Sequence, residues 1–246
     1  MLRTVPADNW LALMIGNSHL HWAKFQNHQI QQTWQTSPTI APEDLSPLLG
    51  KVPFVVASVV PSQTDHWLTY QPRMLTLENI PLKNLYPTLG IDRALAALGA
   101  GMTYGFPCLV IDGGTALTLT AVDDQRCLIG GAILPGLGLQ LHSLGDRTGA
   151  LPLVSLPNQL PPRWGMNTPD AIQSGILYTV LAGLQDYIQA WMTRFPKSPV
   201  LLTGGDGKLL EQGLETMVTG HPIQLIYDPY LIFLGMQGCQ NELKSQ

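Results

Sequence analysis

Residues 108–123 read CLVIDGGTALTLTAVD: an apolar, β-branched run, then Asp-Gly-Gly-Thr, then a second run in which apolar residues alternate with polar ones. This is the pattern of a buried strand that turns tightly into an antiparallel neighbour. Residues 11–25, LALMIGNSHLHWAKF, repeat it, and setting Met14 on Asp112 places Gly16 on Gly114, 98 positions away. Either copy alone is accounted for by a plain hairpin. Two copies at domain-like spacing predict two related halves.

The segments around each hairpin extend the parallel. His28 to Thr36 and Arg126 to Leu134 read as third strands, and Val52 to Val59 and Val200 to Thr203 as short buried ones. Asp92 to Tyr104 has helical spacing, with Leu95, Leu98 and Met102 on one face. The clearest helix is Pro169 to Phe195, with Thr168 as N-cap, Pro169 in the first turn, Pro196 as the stop and a Leu177, Leu181, Leu184, Ile188, Trp191 stripe. That stripe reads as a core or dimer face. Asp228-Pro229 repeats the cap-plus-proline signature for a last helix, Pro229 to about Gly238. The expected fold is α/β, two domains with mixed sheets flanked by helices, 1–106 and 107–246.

Composition narrows the chemistry. The 246 residues are 45% hydrophobic but only 12% charged, about half the roughly 25% usual in soluble domains. There are 18 glutamines against 13 Lys+Arg, so neutral amides carry much of the surface polarity. The net charge is -4 and no stretch is dominated by Lys or Arg, which argues against neutralising a nucleic-acid backbone. Three widely separated cysteines, Cys108, Cys127 and Cys239, fit a reducing compartment. The N-terminal segment offers neither a signal core nor a membrane span, so a cytoplasmic protein with no membrane partner is expected.

Among so few charges, the chemistry-bearing residues are easily found. Asp112-Gly113-Gly114-Thr115 joins glycines that allow close backbone approach to a phosphate, a hydroxyl and a carboxylate able to hold a cation. Gly16-Asn17-Ser18 offers the same without the carboxylate. Either turn alone is equally a plain hairpin turn. Neither follows the Walker or dinucleotide spacing. Gly90-Ile91-Asp92-Arg93, at a helix start after Tyr86-Pro87-Thr88-Leu89, could pair a general base with an anion-binding fork, or supply only a cap and a surface charge. Gly204-Gly205 suits the face of a nucleotide base or ribose, or simply ends a strand. The six histidines lack metal-ligand spacing, and there is no Gly-x-Ser-x-Gly elbow. Phosphate chemistry is the best-supported class.

Taken in order, these motifs resemble the type III pantothenate kinases, of the acetate/sugar kinase, Hsp70 and actin superfamily. They continue through Gly130 to Gly136, Asn167-Thr168 with Ala171 to Gly175, and Thr203-Gly204-Gly205. The resemblance implies two ribonuclease H-like (actin-like ATPase) domains and ATP-dependent phosphorylation of pantothenate to 4'-phosphopantothenate, the first step of coenzyme A synthesis. It implies Asp92 as catalytic base, with Tyr86, Gly90, Ile91, Arg93 and Thr168 at the substrate. ATP falls to Met14, Ile15, Gly16, Asn17, Ser18, His19, Leu20 and His21, with Thr115. Asp112 is implied as ligand of a monovalent cation (K+ or NH4+), Mg2+ arrives with ATP, and the protein is implied to be a homodimer. The family pattern usually has Asp where this chain has Met14, and a thioether is a poor ligand for a hard cation. Two other readings stay open: a kinase of another small hydroxy compound, and a nonenzymatic nucleotide-binding or regulatory member.

Overall fold

The computed structural model describes residues 9–45, 52–217 and 224–242. The chain forms two compact units, Met1–Met102 with Leu231–Gln246, and Thr103–Tyr230.

In the first unit β1 (Asn9–Ile15), β2 (Leu20–Gln26) and β3 (Gln29–Thr36) form an antiparallel meander. β4 (Phe54–Ser58) lies parallel to β1, and β5 (Arg73–Met74) parallel to β4, giving the order β3-β2-β1-β4-β5. β1 is central and buried on both faces, which is why its sequence is almost continuously apolar. Leu11, Leu13, Ile15, Leu20 and Trp22 enter one core with Phe54, Val56 and Trp67. There Trp22 stacks on Trp34 and meets Trp67 edge-on at 5.2 Å, and its indole N–H donates to the Thr36 hydroxyl at 3.0 Å.

The second unit repeats this plan. β6 (Cys108–Gly113), β7 (Ala116–Val122) and β8 (Leu128–Pro135) form the meander, with β9 (Val200–Thr203) and β10 (Leu225–Tyr227) in parallel beyond β6. The order β8-β7-β6-β9-β10 is that of the first sheet. Equivalence extends to single atoms: Ile15 and Gly113 each accept a backbone hydrogen bond at the strand end, from Val59 and Asp206, and the amides of Gly16 and Gly114 each close a turn. The first turn is longer by one residue, so Met14 faces His21 where Asp112 faces Thr118.

Among the described residues there are six α-helices, α1 (Pro61–Thr64), α2 (Ile91–Tyr104), α3 (Leu137–Arg147), α4 (Thr168–Arg194), α5 (Gly207–Met217) and α6 (Leu231–Glu242), with short 3-10 turns in the first unit. The expected α4 stripe is core: Leu177, Leu181, Leu184, Ile188 and Trp191 pack with Leu109, Leu202 and Leu210.

Four expectations need correction. The compact units do not follow the 1–106 and 107–246 boundary, because α6 returns to the first unit. The physical reason is a glycine-mediated helix contact: a Cβ on Gly99 would overlap the Leu231 carbonyl, and one on Gly235 would overlap the Leu95 carbonyl. Only glycine lets the two backbones approach so closely. The last helix starts at Leu231, two residues after Pro229, since the Asp228 carboxylate first accepts from the Tyr230 amide at 2.8 Å. Met102 is 42% exposed, whereas Ala96, Ala97 and Ala100 are buried, so α2 is covered nearly all round rather than along one stripe. The α4 N-cap is Asn167 rather than Thr168. Its side-chain oxygen accepts from the Asp170 amide at 2.9 Å while its amide donates to the Asp170 carboxylate at 2.8 Å, a reciprocal cap.

Candidate active site

Within the first unit, the Gly16–His19 turn joins β1 to β2 and closes through Gly16 N–H donating to the His19 carbonyl at 3.1 Å. A Cβ on Gly16 would stand 3.1 Å from that carbonyl oxygen. Asn17, Ser18 and His19 are exposed, whereas the side chains of Ile15 and Leu20 belong to the core. Those two can offer only backbone groups to a ligand. Met14 is 2% exposed. The half-buried His21 has its pKa lowered, first by burial and then by the neighbouring His19.

The second cluster of this unit opens α2. Leu89 N–H donates to the Tyr86 carbonyl, and Ala94 N–H to that of Gly90, so the 86–90 loop feeds directly into the first helical turn. Asp92 lies there, its carboxylate accepting from the Arg93 amide at 2.8 Å. Burial pushes its pKa up, while that hydrogen bond and the Arg93 charge pull it back. Arg93 is buried and donates to the Tyr86 hydroxyl at 3.0 Å. A Cβ on Gly90 would overlap the Asp92 carboxylate, so glycine there leaves room for the acid. The structure thus brings Tyr86, Gly90, Asp92 and Arg93 together; Ile91 is buried beside them in sequence.

In the second unit, the turn after β6 holds Asp112 half-buried and Thr115 exposed. Two glycines brace it. Gly136 donates its N–H to the Thr115 carbonyl at 2.9 Å, and a side chain there would overlap the Gly114 carbonyl. Gly204, at φ +81, lies against the Asp112 carboxylate and the Gly113 carbonyl. A left-handed backbone in such contact requires glycine. The sequence reading passes over Asp206. Its amide donates to the Gly113 carbonyl at 2.9 Å, its Cβ stands 3.1 Å from where a Gly113 Cβ would be, and burial raises its pKa. The signal available was its place in the Gly204–Gly207 run.

The same unit has a cavity of about 770 Å3 lined by Leu144, Gly165, Asn167, Thr168, Ile172 and Ile176, among others. With Asn167 acting as the cap, the exposed Thr168 hydroxyl makes no hydrogen bond among the described residues and remains available at the cavity. Mostly apolar walls with Asn167 and Thr168 among them suit a small organic molecule. No cluster of three or more His, Cys, Asp or Glu side chains that could hold a metal ion occurs among the described residues. No described helix is long and apolar enough to cross a membrane.

Comparison with solved structures supports the fold. The chain superposes on a Campylobacter jejuni protein described as a Baf family transcriptional activator with TM-score 0.64 and 21% identity, covering 96% of this chain and 100% of the other. It superposes on the activator of 2-hydroxyisocaproyl-CoA dehydratase from Clostridium difficile, with bound ADPNP, with TM-score 0.55 and 13% identity, covering 96% of each. Sequence comparison reaches further. A protein named type III pantothenate kinase from Synechocystis is 55% identical over 92% of this chain and 88% of its own length. One of the same name from Nostoc is 46% identical over 94% of both. The family model for type III pantothenate kinase matches residues 10–190, spanning the glycine turns after β1 and β6, the Asp92 loop and most of α4. By this match and these identities, the chain belongs to the type III pantothenate kinase family.

Proposed function

We propose that this protein transfers the γ-phosphoryl group of ATP to the hydroxyl of pantothenate, with Asp92 as general base. The observation that carries this reading is the Asp92 arrangement: a carboxylate in the first turn of α2, pushed up in pKa by burial and placed beside a buried Arg93 that Tyr86 holds. A base whose pKa moves toward the working pH is better matched to taking the hydroxyl proton as the oxygen attacks. Gly90, Ile91 and Arg93 are the substrate contacts that this reading assigns to the first unit, and Thr168 is a separate candidate contact on the second.

Gly16, Asn17 and Ser18 present exposed polar groups to the ATP phosphates, and Thr115 adds a hydroxyl from the second turn. Phosphoryl transfer needs positioning and charge neutralisation more than covalent help. ATP brings its Mg2+ as part of the substrate, since Met14 supplies no oxygen. At the second turn, the Asp112 carboxylate braced by Gly204 is a hard oxygen donor beside backbone carbonyls, a donor set that fits K+ or NH4+. A bound monovalent cation would offset negative charge next to the nucleotide.

A homodimer is supported by apolar side chains on the second unit, Trp164 at 84%, Met166 at 95% and Leu153 at 68% exposure. A cytoplasmic location is supported by the composition alone. The test is direct: purified protein with ATP, Mg2+ and K+ should form 4'-phosphopantothenate, and Asp92→Asn should lower kcat by roughly 10²–10⁴-fold. Nucleotide binding without any turnover would favour a regulatory protein, and turnover of other hydroxy compounds in preference to pantothenate would reassign the substrate.

A further inference from the structure

Residues 148–167 join α3 to α4 without helix or strand, and four prolines, Pro152, Pro157, Pro161 and Pro162, stand among them. The backbone carbonyls of such a segment have no ladder to accept from, so side chains must meet them. Three residues of α4 do this. Gln173 Nε2 donates to the Ser155 carbonyl at 2.9 Å, the Ser174 hydroxyl to the Arg163 carbonyl at 2.5 Å, and the Tyr178 hydroxyl to the Pro161 carbonyl at 2.9 Å. Ser174 and Tyr178, four positions apart, share a helix face, and the Arg163 guanidinium lies over the Tyr178 ring at 4.0 Å. The segment is a strap clipped along α4.

Ser174 holds the strap two residues before the cavity wall begins. A helical serine can satisfy itself on the carbonyl one turn back. This one, 5% exposed, instead reaches a carbonyl 11 positions away. Just beyond its acceptor, Gly165 rests so closely on the first turn of α4 that a Cβ there would overlap the Ala171 nitrogen and the Asp170 carbonyl carbon. Gly165, Met166, Asn167 and Thr168 then line the cavity in succession. That wall is fixed at both ends, by the Ser174 clip and by the Asn167 cap.

Resting on the reading that Thr168 is a pantothenate contact, we propose that Ser174, seconded by Tyr178, is a positioning residue for that substrate: it clips the strap so that the Gly165–Thr168 wall is formed before pantothenate arrives. A preformed wall spares the ordering cost of binding. Because neither hydroxyl is free to meet the substrate, the effect falls on pantothenate affinity and leaves kcat and the KM for ATP alone.

Calorimetric binding of pantothenate and steady-state kinetics on Ser174→Ala, Ser174→Thr and Tyr178→Phe test this, with Ser198→Ala as control. Ser198 is another buried serine of the same unit, and its hydroxyl donates to the Pro107 carbonyl at 2.7 Å, away from the strap. Losing one neutral hydrogen bond should raise the Kd and KM for pantothenate roughly 3- to 10-fold in Ser174→Ala and in Tyr178→Phe. Ser174→Thr, which keeps the donor, should recover most of that loss, and Ser198→Ala should show none. Wild-type pantothenate affinity in both Ser174→Ala and Tyr178→Phe overturns the proposal, as does an equal loss in Ser198→Ala, which would mark general destabilisation. Should Ser174→Ala fail to fold, Tyr178→Phe decides. Hydrogen exchange without ligand reads the strap itself: faster exchange in Tyr178→Phe confined to residues 155–168 supports the clip, and unchanged exchange overturns it. Phosphopantothenate formation with pantothenate affinity indifferent to both hydroxyls defeats only this inference. A wild type that neither binds nor turns over pantothenate, with strap exchange still responding to Tyr178→Phe, defeats only the substrate assignment.

Discussion

Asp92 carries two opposed demands. Its raised pKa suits a base, but the folded state then holds a proton that the unfolded chain releases at lower pH. Stability from this group is therefore full below the unfolded-state value near 3.9 and declines as pH rises through the folded-state value. Asp92→Asn should remove that decline, so its melting temperature should exceed that of wild type at pH 7–8 while its turnover collapses. Thermal melts of both proteins from pH 4 to 8 check this, and identical pH profiles would refute it. Gly204 is the other residue whose role is local. Gly204→Ala must hold a side chain at φ +81 against the Asp112 carboxylate, a strain of about 1–3 kcal/mol. Urea unfolding should show that loss, and any K+ activation should weaken with it.

Helix ends and helix contacts govern the next level. Asn167 and Asp170 form a reciprocal cap that leaves Thr168 at the cavity. Asn167→Ala should cost about 1 kcal/mol of stability and raise the KM for pantothenate more than that for ATP, as steady-state kinetics would show. The α2–α6 contact is less forgiving. Ala at Gly235 would push its Cβ into the Leu95 carbonyl. Overpacking of this kind costs typically about 1–3 kcal/mol, whereas Gly205→Ala, with open space around it, should be far milder. Comparing the two melting temperatures tests whether the close approach is what ties α6 to the first unit.

For the whole molecule, the repeated sheet order explains why one sequence pattern recurs 98 positions on. Each unit ends its central strand in a tight glycine turn, and the units then diverge in the charge they place there, Asp112 in one and Met14 in the other. The second unit also carries the exposed Trp164 and Met166. A Trp164→Glu, Met166→Glu double variant should shift the sedimentation profile from dimer to monomer with the melting temperature of the monomer preserved. A wild-type protein that sediments as a monomer would refute the dimer.

Periodicity and turn chemistry made the two meanders, β9 and α4 legible, because an apolar strand, a glycine turn and an alternating strand are local signals. The candidate residues were legible for a similar reason: Asp92 and Asp112 stand out in a chain with few carboxylates. What the linear chain did not reveal depends on contacts between distant segments. The return of α6 to the first unit rests on Gly99 and Gly235 meeting carbonyls more than a hundred residues away in sequence. Arg93 is readable as a surface charge until burial and the Tyr86 hydroxyl place it. Asp206 looks like part of a turn until its amide meets Gly113. The pairing of His21 with Met14 is likewise a matter of register, decided by one additional residue in the first turn. Local sequence determined which elements form; the tertiary structure decided which side chains share a site, because burial and register exist only once the strands have paired.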